Sequence, residues 1–158
     1  MISQTIEYAL RAMIHLAGLE AGSSVNSETI AEATRVPQGY LSKIMRDLVV
    51  AGLVNSRRGP NGGFVLAVPA ETISMLDVVN AVDPFRRITK CPLGKPAHLA
   101  LCPLHQRMDD AMASVEAEFR RTTLAEVLES GRAIKPGCRV LMTPTRSAVA
   151  RPGKTPNA

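Results

Sequence analysis

Cysteine is scarce in this chain, with three residues in 158, at positions 91, 102 and 138. An odd count, with no N-terminal basic segment, apolar run and cleavage site, argues against a secreted disulfide framework and leaves metal binding or thiol chemistry as the use of these sulfurs. No run approaches the roughly twenty apolar residues that cross a bilayer, so a cytoplasmic location and no membrane partner are expected. The motifs of catalysis are missing too. There is no phosphate-cradling glycine loop, no nucleophile elbow and no His-Glu zincin helix, so no enzyme is expected although Cys, His and carboxylates are present. Acid is absent from residues 136–158, where Arg139, Arg146, Arg151 and Lys154 supply most of the net charge of +5. Residues 1–135 hold fifteen Lys and Arg against fourteen Asp and Glu. Bulk charge is therefore weak evidence for nucleic acid, and the placement of particular basic residues has to carry that reading.

What is present is enough apolar sequence, 46% of residues, for one core of ordinary size plus appendages. Residues 3–20 place Ile6, Leu10, Met13, Ile14 and Ala17 at helical spacing, which predicts a first helix closed by Gly22; His15 within it reads as a packing or surface residue. Asn26 caps a second helix bearing Ile30, Ala31 and Ala33, and a third starts near Pro37 with Leu41, Ile44, Met45 and Leu48 as its inner stripe. Two β-prone runs, Leu53–Arg58 and Phe64–Val68, flank glycine-rich residues 59–63 and predict a hairpin. Thr72 or Ser74 then caps a short helix that ends by Pro84. A loop of about seventeen residues through Leu101 follows, long enough to be functional.

From Cys102 the pattern is helical again. Leu101, Leu104, Met108, Ala111 and Val115 recur at steps of three and four, close to a seam that wants a partner helix, while Arg107, Asp109, Asp110, Glu116 and Glu118 fall on other faces; packing of this helix on its own domain is the alternative. A short last helix, Leu124 to Ser130, leads to Gly131. The Pro-rich basic tail, 136–158, lacks periodicity and is expected to be disordered, with Cys138 an incidental thiol. The expected fold is mainly α with a small β-hairpin wing. Residues 1–83 form a winged helix-turn-helix domain, 84–101 a ligand loop, and 102–135 a long dimerisation helix with a short final one.

Helix, turn, helix and glycine-tipped hairpin is the order in which a second helix enters the major groove of duplex DNA while a wing touches backbone or minor groove. With the apolar stripe turned inward, Gln38, Tyr40, Ser42, Lys43 and Arg46 project outward. Gln suits an adenine edge, Ser several bases, and Lys guanine or phosphate. Arg57 and Arg58 precede the turn, where a guanidinium suits a narrow minor groove, and Gly62 stands at the tip.

Cys91, His98, Cys102 and His105 form a Cys-x6-His-x3-Cys-x2-His pattern across the loop. Four soft or borderline donors suit zinc or an iron-sulfur centre; bare thiol redox chemistry is the metal-free alternative. Cys102 precedes Pro103 and so caps the long helix, with His105 one turn on along the same face.

Taken in order, Glu7-Tyr8-Ala9-Leu10-Arg11-Ala12, Ile30-Ala31-Glu32, Tyr40-Leu41, Arg58-Gly59-Pro60-Asn61-Gly62-Gly63-Phe64-Val65-Leu66-Ala67, Ile73-Ser74-Met75-Leu76-Asp77-Val78-Val79 and Cys102-Pro103-Leu104-His105 resemble the Rrf-two (Rrf2) family of bacterial transcription regulators, over residues 1 to about 130. The resemblance implies a homodimer joined through the helix after Cys102 and a partly palindromic DNA operator. Gln38, Ser42 and Lys43 would then fall at base-reading positions and Arg58 at the wing arginine. Cluster-binding relatives have three cysteines in this loop, whereas here the middle position holds Ala97 with His98 beside it. In some relatives an acidic residue of the partner subunit completes the coordination, and Glu7 matches it. The implied centre is a 2Fe-2S cluster on Cys91, Cys102, a loop histidine and Glu7, in a repressor that responds to redox state, nitric oxide or iron-sulfur status.

Overall fold

A computed structural model describes residues 2–59, 62–91 and 100–133. The first helix, α1 (Gln4–Ala17), begins where Ser3 turns its hydroxyl back to accept from the Ile6 amide at 3.3 Å. The side-chain oxygen replaces a partner that the first helical turn cannot supply. Residues Ile6, Ala9, Ala12, Met13 and Leu16 are buried along it, so α1 runs through the centre of the domain. Asn26 caps α2 (Ser27–Thr34) by accepting from Thr29 N at 2.8 Å, as expected. Arg35 ends α2 in the left-handed region, at φ 55°, the one described non-glycine residue there.

Pro37 precedes α3 (Gln38–Val50), whose Leu41, Ile44, Met45 and Leu48 are buried against α1 and its neighbours. Each such side chain contributes about 1.5–3 kcal/mol when fully removed from water. The hairpin follows with β1 (Val54–Arg57) antiparallel to β2 (Gly63–Leu66), in a register that sets Val54 opposite Leu66 and Arg57 opposite Gly63. A single bridge between Val25 and Phe64 ties this wing to the segment before α2. That bridge requires glycine at 63, because a Cβ there would lie 2.3 Å from the Val25 carbonyl oxygen.

After a 3-10 turn at Ala70–Thr72, the short α4 (Met75–Val82) opens on a full capping box. The Ser74 hydroxyl accepts from Asp77 N at 3.1 Å and the Asp77 carboxylate accepts from Ser74 N at 2.9 Å. Ser74 rather than Thr72 is therefore the cap. The long α5 (Pro103–Arg121) and α6 (Leu124–Ala133) complete the described chain. α6 runs past Gly131, beyond its expected end at Ser130: once a helix is under way, glycine costs only about 1 kcal/mol. Thr123 and Glu126 box its start, and the Leu124 amide donates to Ile73 O at 3.0 Å, which brings α6 back beside α1 and the 3-10 turn and buries Leu124 and Leu128 in the main core. No described helix is long and apolar enough to cross a membrane.

α5 is the exception to this burial. Across its nineteen residues the one buried side chain is the carboxylate of Asp109, while Leu104 and Met108 are 65% and 49% exposed. Asp109, expected only to lie on a face other than the apolar seam, is buried there. The cause is Arg87, which lies against α5 and draws that carboxylate inward with two bonds of 2.7 and 2.6 Å.

Candidate nucleic-acid interface and metal centre

On α3 the apolar stripe faces the core, and helical geometry then turns Gln38, Tyr40, Ser42, Lys43 and Arg46 outward; all five are exposed. Gln38, Ser42 and Arg46 follow one another a turn apart, with Lys43 beside them. Two of the five have local duties. The Ser42 hydroxyl donates back to Gln38 O at 3.1 Å. The Tyr40 ring stands edge-on to Tyr8 of α1, centroids 6.1 Å apart, with Tyr8 also under the Arg11 guanidinium and accepting from Gln4 Nε2 at 2.8 Å.

The two wing arginines differ. Arg57 donates to the Gly22 carbonyl oxygen at 3.1 Å, so it braces the hairpin against the turn after α1. Arg58 stands exposed at the next position, beside Gly59 with its φ of 106°. Gly62, expected at the DNA-facing tip, closes the turn by donating to Gly59 O at 2.8 Å, and a Cβ there would lie 2.5 Å from the Arg57 carbonyl oxygen, so the turn itself requires glycine at this position. Of the tip, Pro60 and Asn61 lie outside the described residues. The outer side of α3 and the arginine-bearing wing are the two parts with which a winged helix engages a duplex.

The second constellation lies at the N-terminus of α5. Cys102 is its N-cap and Pro103 its first residue, where the missing amide hydrogen leaves no helical bond unmade. His105, one turn on, points its Nδ1 to within 3.1 Å of Cys102 Sγ and 3.7 Å of Cys91 Sγ. All three donor atoms lie within 4.8 Å of one another, and all three residues are half-buried. In a tetrahedral site, metal–sulfur and metal–nitrogen bonds of ordinary length separate neighbouring donors by about 3.6 Å. Two sulfurs and an imidazole at these spacings fit zinc or an iron-sulfur iron as three donors of a shell. His98 and Cys138 lie outside the described residues. Glu7 is not brought to this group within one chain; it forms an ion pair with Arg11 on α1.

Sequence reasoning missed what delivers Cys91. The segment after α4 runs back along α5: Phe85 meets Phe119 edge-on at 5.6 Å, and Arg87 and the Ile88 amide (2.9 Å) both donate to Asp109. These bonds hold the Asp109 carboxyl down at about 2 and raise the Arg87 guanidinium above its ordinary value. His15, by contrast, is 3% exposed in the core, its Nε2 has no hydrogen-bond partner among the described residues, and burial pushes its pKa down, so it is a neutral packing residue.

The family model described as Rrf2, iron-dependent transcriptional regulator, matches residues 2–130. This chain belongs to the Rrf2 family. A helix-turn-helix transcriptional regulator of Aquifex aeolicus is 30% identical in an alignment 132 residues long that covers 81% of this chain and 91% of that protein. Among solved structures, IscR of T. potens superposes with a TM-score of 0.69 at 25% identity, over 87% of this chain and 93% of that one. CymR, the global cysteine regulator of B. subtilis, gives 0.68 at 26% identity, over 82% and 97%. The protein is thus a transcriptional regulator of this family with its winged-helix architecture.

Proposed function

We propose that the protein is a homodimeric, sequence-specific repressor whose grip on a partly palindromic operator is set by a 2Fe-2S centre held by Cys91, Cys102, His105 and Glu7 of the second copy. The observation that carries the reading is the pair of sulfurs converging on one imidazole at a helix N-terminus, in a chain that otherwise carries the parts of a DNA reader. Gln38, Ser42, Lys43 and Arg46 read or grip the major groove, and Arg58 enters the minor groove. When bound, the cluster supplies one-electron redox chemistry and reactivity toward oxidants or nitric oxide. The chain's own part is to offer two sulfur donors and an imidazole nitrogen, and to keep them half-shielded from water.

Dimerisation is supported by complementary shapes at the two ends of α5. An apolar groove of about 460 Å³ lies between α1, α5 and α6, lined by Leu10, Ile14, Phe119 and Val127 with Glu7 at its wall. Two antiparallel α5 helices that meet about residues 111 and 112, the middle of Pro103–Arg121, set Leu104 of one copy over Phe119 of the other. Leu104 then fills this groove, and the cysteine-bearing end of one subunit comes to the Glu7 wall of its mate.

The test is anaerobic purification with visible absorption and with iron, sulfide and zinc analysis, followed by operator selection from random duplexes. The expected result is a coloured dimer with two irons and two sulfides per centre, and an operator affinity that changes when Cys91→Ala and Cys102→Ala remove the donors. A colourless protein whose affinity responds to oxidation through the same cysteines selects metal-free thiol sensing. Unchanged affinity in both variants, with no metal bound, leaves a winged-helix binder without a sensor and overturns the proposal.

A further inference from the structure

The segment that carries Cys91 has no helix or strand of its own between Pro84 and Cys91. Its place is set by what it touches on α5. Phe85 packs against Phe119, Arg87 Nη1 lies 3.5 Å from Glu116, Arg87 and Ile88 N converge on Asp109, and Cys91 reaches His105. Positions 119, 116, 109, 105 and 102 are separated by three, seven, four and three residues, and so form one stripe down the helix.

The lengths of the two paths match. From residue 105 to 119 a helix rises about 21 Å, at 1.5 Å per residue. From residue 85 to 91 a fully extended chain spans about 20 Å, at 3.3 Å per residue. The strap therefore has little slack, and its grip nearest the sulfur is the three-bond clamp on Asp109. That carboxylate is only 9% exposed, and it is the one buried residue of α5. A buried carboxylate with its lone pairs engaged by a fork-shaped guanidinium and a backbone amide tolerates few other positions of its partners.

We infer that Asp109 is the positioning residue of the metal centre: by clamping Arg87 and the Ile88 amide it fixes where the strap ends and holds Cys91 Sγ at the His105 imidazole. This rests on the metal-binding reading given above. Asp109 touches no donor atom and acts only through Cys91. Groups that orient ligands in this way typically change metal affinity by about 10- to 100-fold when removed.

The experiment uses the full-length chain with Cys138→Ser, so that Cys91 and Cys102 are the remaining thiols. Cobalt(II) alone is titrated in, and the sulfur-to-cobalt charge-transfer absorption is read. Asp109→Asn should weaken cobalt binding by roughly tenfold or more, and adding Asp109→Asn to Cys91→Ala should weaken it no further than Cys91→Ala alone. Arg87→Gln, at the exposed end of the clamp, should reproduce the loss if Asp109→Asn fails to fold. Equal losses with and without Cys91 show a general structural effect and overturn the inference, as does an Asp109→Asn affinity equal to the parent's.

A second readout needs no metal. Phenylarsine oxide bridges two thiols only when they lie close together, and its bridging of Cys91 to Cys102 should slow in Asp109→Asn and in Arg87→Gln. The charge-exchanged pair Arg87→Asp with Asp109→Arg should recover part of the rate. A parent protein that takes up no cobalt defeats the metal reading, and the arsenical rates then decide the clamp alone: unchanged rates in both variants overturn it.

Discussion

Replacing Leu104 by alanine should weaken the proposed dimer far more than it weakens the fold. Leu104 is 65% exposed at the start of α5 and so contributes little to its own subunit's core. Complete burial of a leucine side chain is worth about 1.5–3 kcal/mol, so hiding the exposed two-thirds in a partner's groove yields about 1–2 kcal/mol. A two-fold interface buries two copies, which raises the effect to about 2–4 kcal/mol per dimer. At 1.4 kcal/mol per factor of ten, the dimer dissociation constant should rise between about 30-fold and about 1000-fold. Analytical ultracentrifugation with fluorescence detection, across a dilution series reaching the nanomolar range, measures the constant for parent and variant. Helical circular dichroism of the variant at high concentration should match the parent's. A dissociation constant within a factor of two of the parent's refutes both the groove as the seat of Leu104 and the antiparallel pairing of α5 that places it there.

Arg58→Ala should lower affinity for a selected operator by on the order of 1 kcal/mol or more, about fivefold, with the melting temperature unchanged, as measured by fluorescence anisotropy at fixed salt; equal affinities remove Arg58 from the interface. Ser74→Ala breaks the capping box of α4 and should cost about 1 kcal/mol in urea unfolding without altering metal content; no loss of stability means that the box is idle. His15→Gln probes pH. Because burial lowers the His15 pKa in the folded state, the unfolded chain binds the proton first as pH falls. The stability due to neutral His15 is therefore complete above the unfolded value near 6.5 and is lost as the pH drops below it. Urea unfolding of the parent between pH 7.5 and 5 should show this decline and the variant should not; parallel slopes refute it.

The parts of the fold legible in the sequence are those set by local chemistry. Asn26 at the start of α2, Pro37 before α3 and the glycines of the wing each act within a few residues, and each marks the boundary found in the structure. The choice between Thr72 and Ser74 needed one more residue: Asp77 stands three after Ser74 and completes a reciprocal box, while the Thr72 hydroxyl donates to Pro69 O at 2.7 Å. Helix α6 runs past its expected end with Gly131 buried within it, a position whose burial offsets the poor helical propensity of glycine.

The site separates along the same line. Cys102 and His105 are one turn apart on one helix, so their meeting follows from helical geometry alone. That Cys91 joins them, at 3.7 Å from the imidazole, depends on Arg87 finding Asp109 across twenty-two residues of sequence. No periodic pattern signals such a pairing, and a lone Asp among Arg107, Asp110, Glu116 and Glu118 reads as one more solvated charge. Arg57 and Arg58 show the converse case. Adjacent and chemically identical in sequence, they diverge because the hairpin aims one guanidinium at the Gly22 carbonyl and leaves its neighbour exposed at the tip. Residue type and spacing therefore identify which groups can do chemistry, whereas the division between bracing and contact is decided by tertiary partners that only the folded chain supplies.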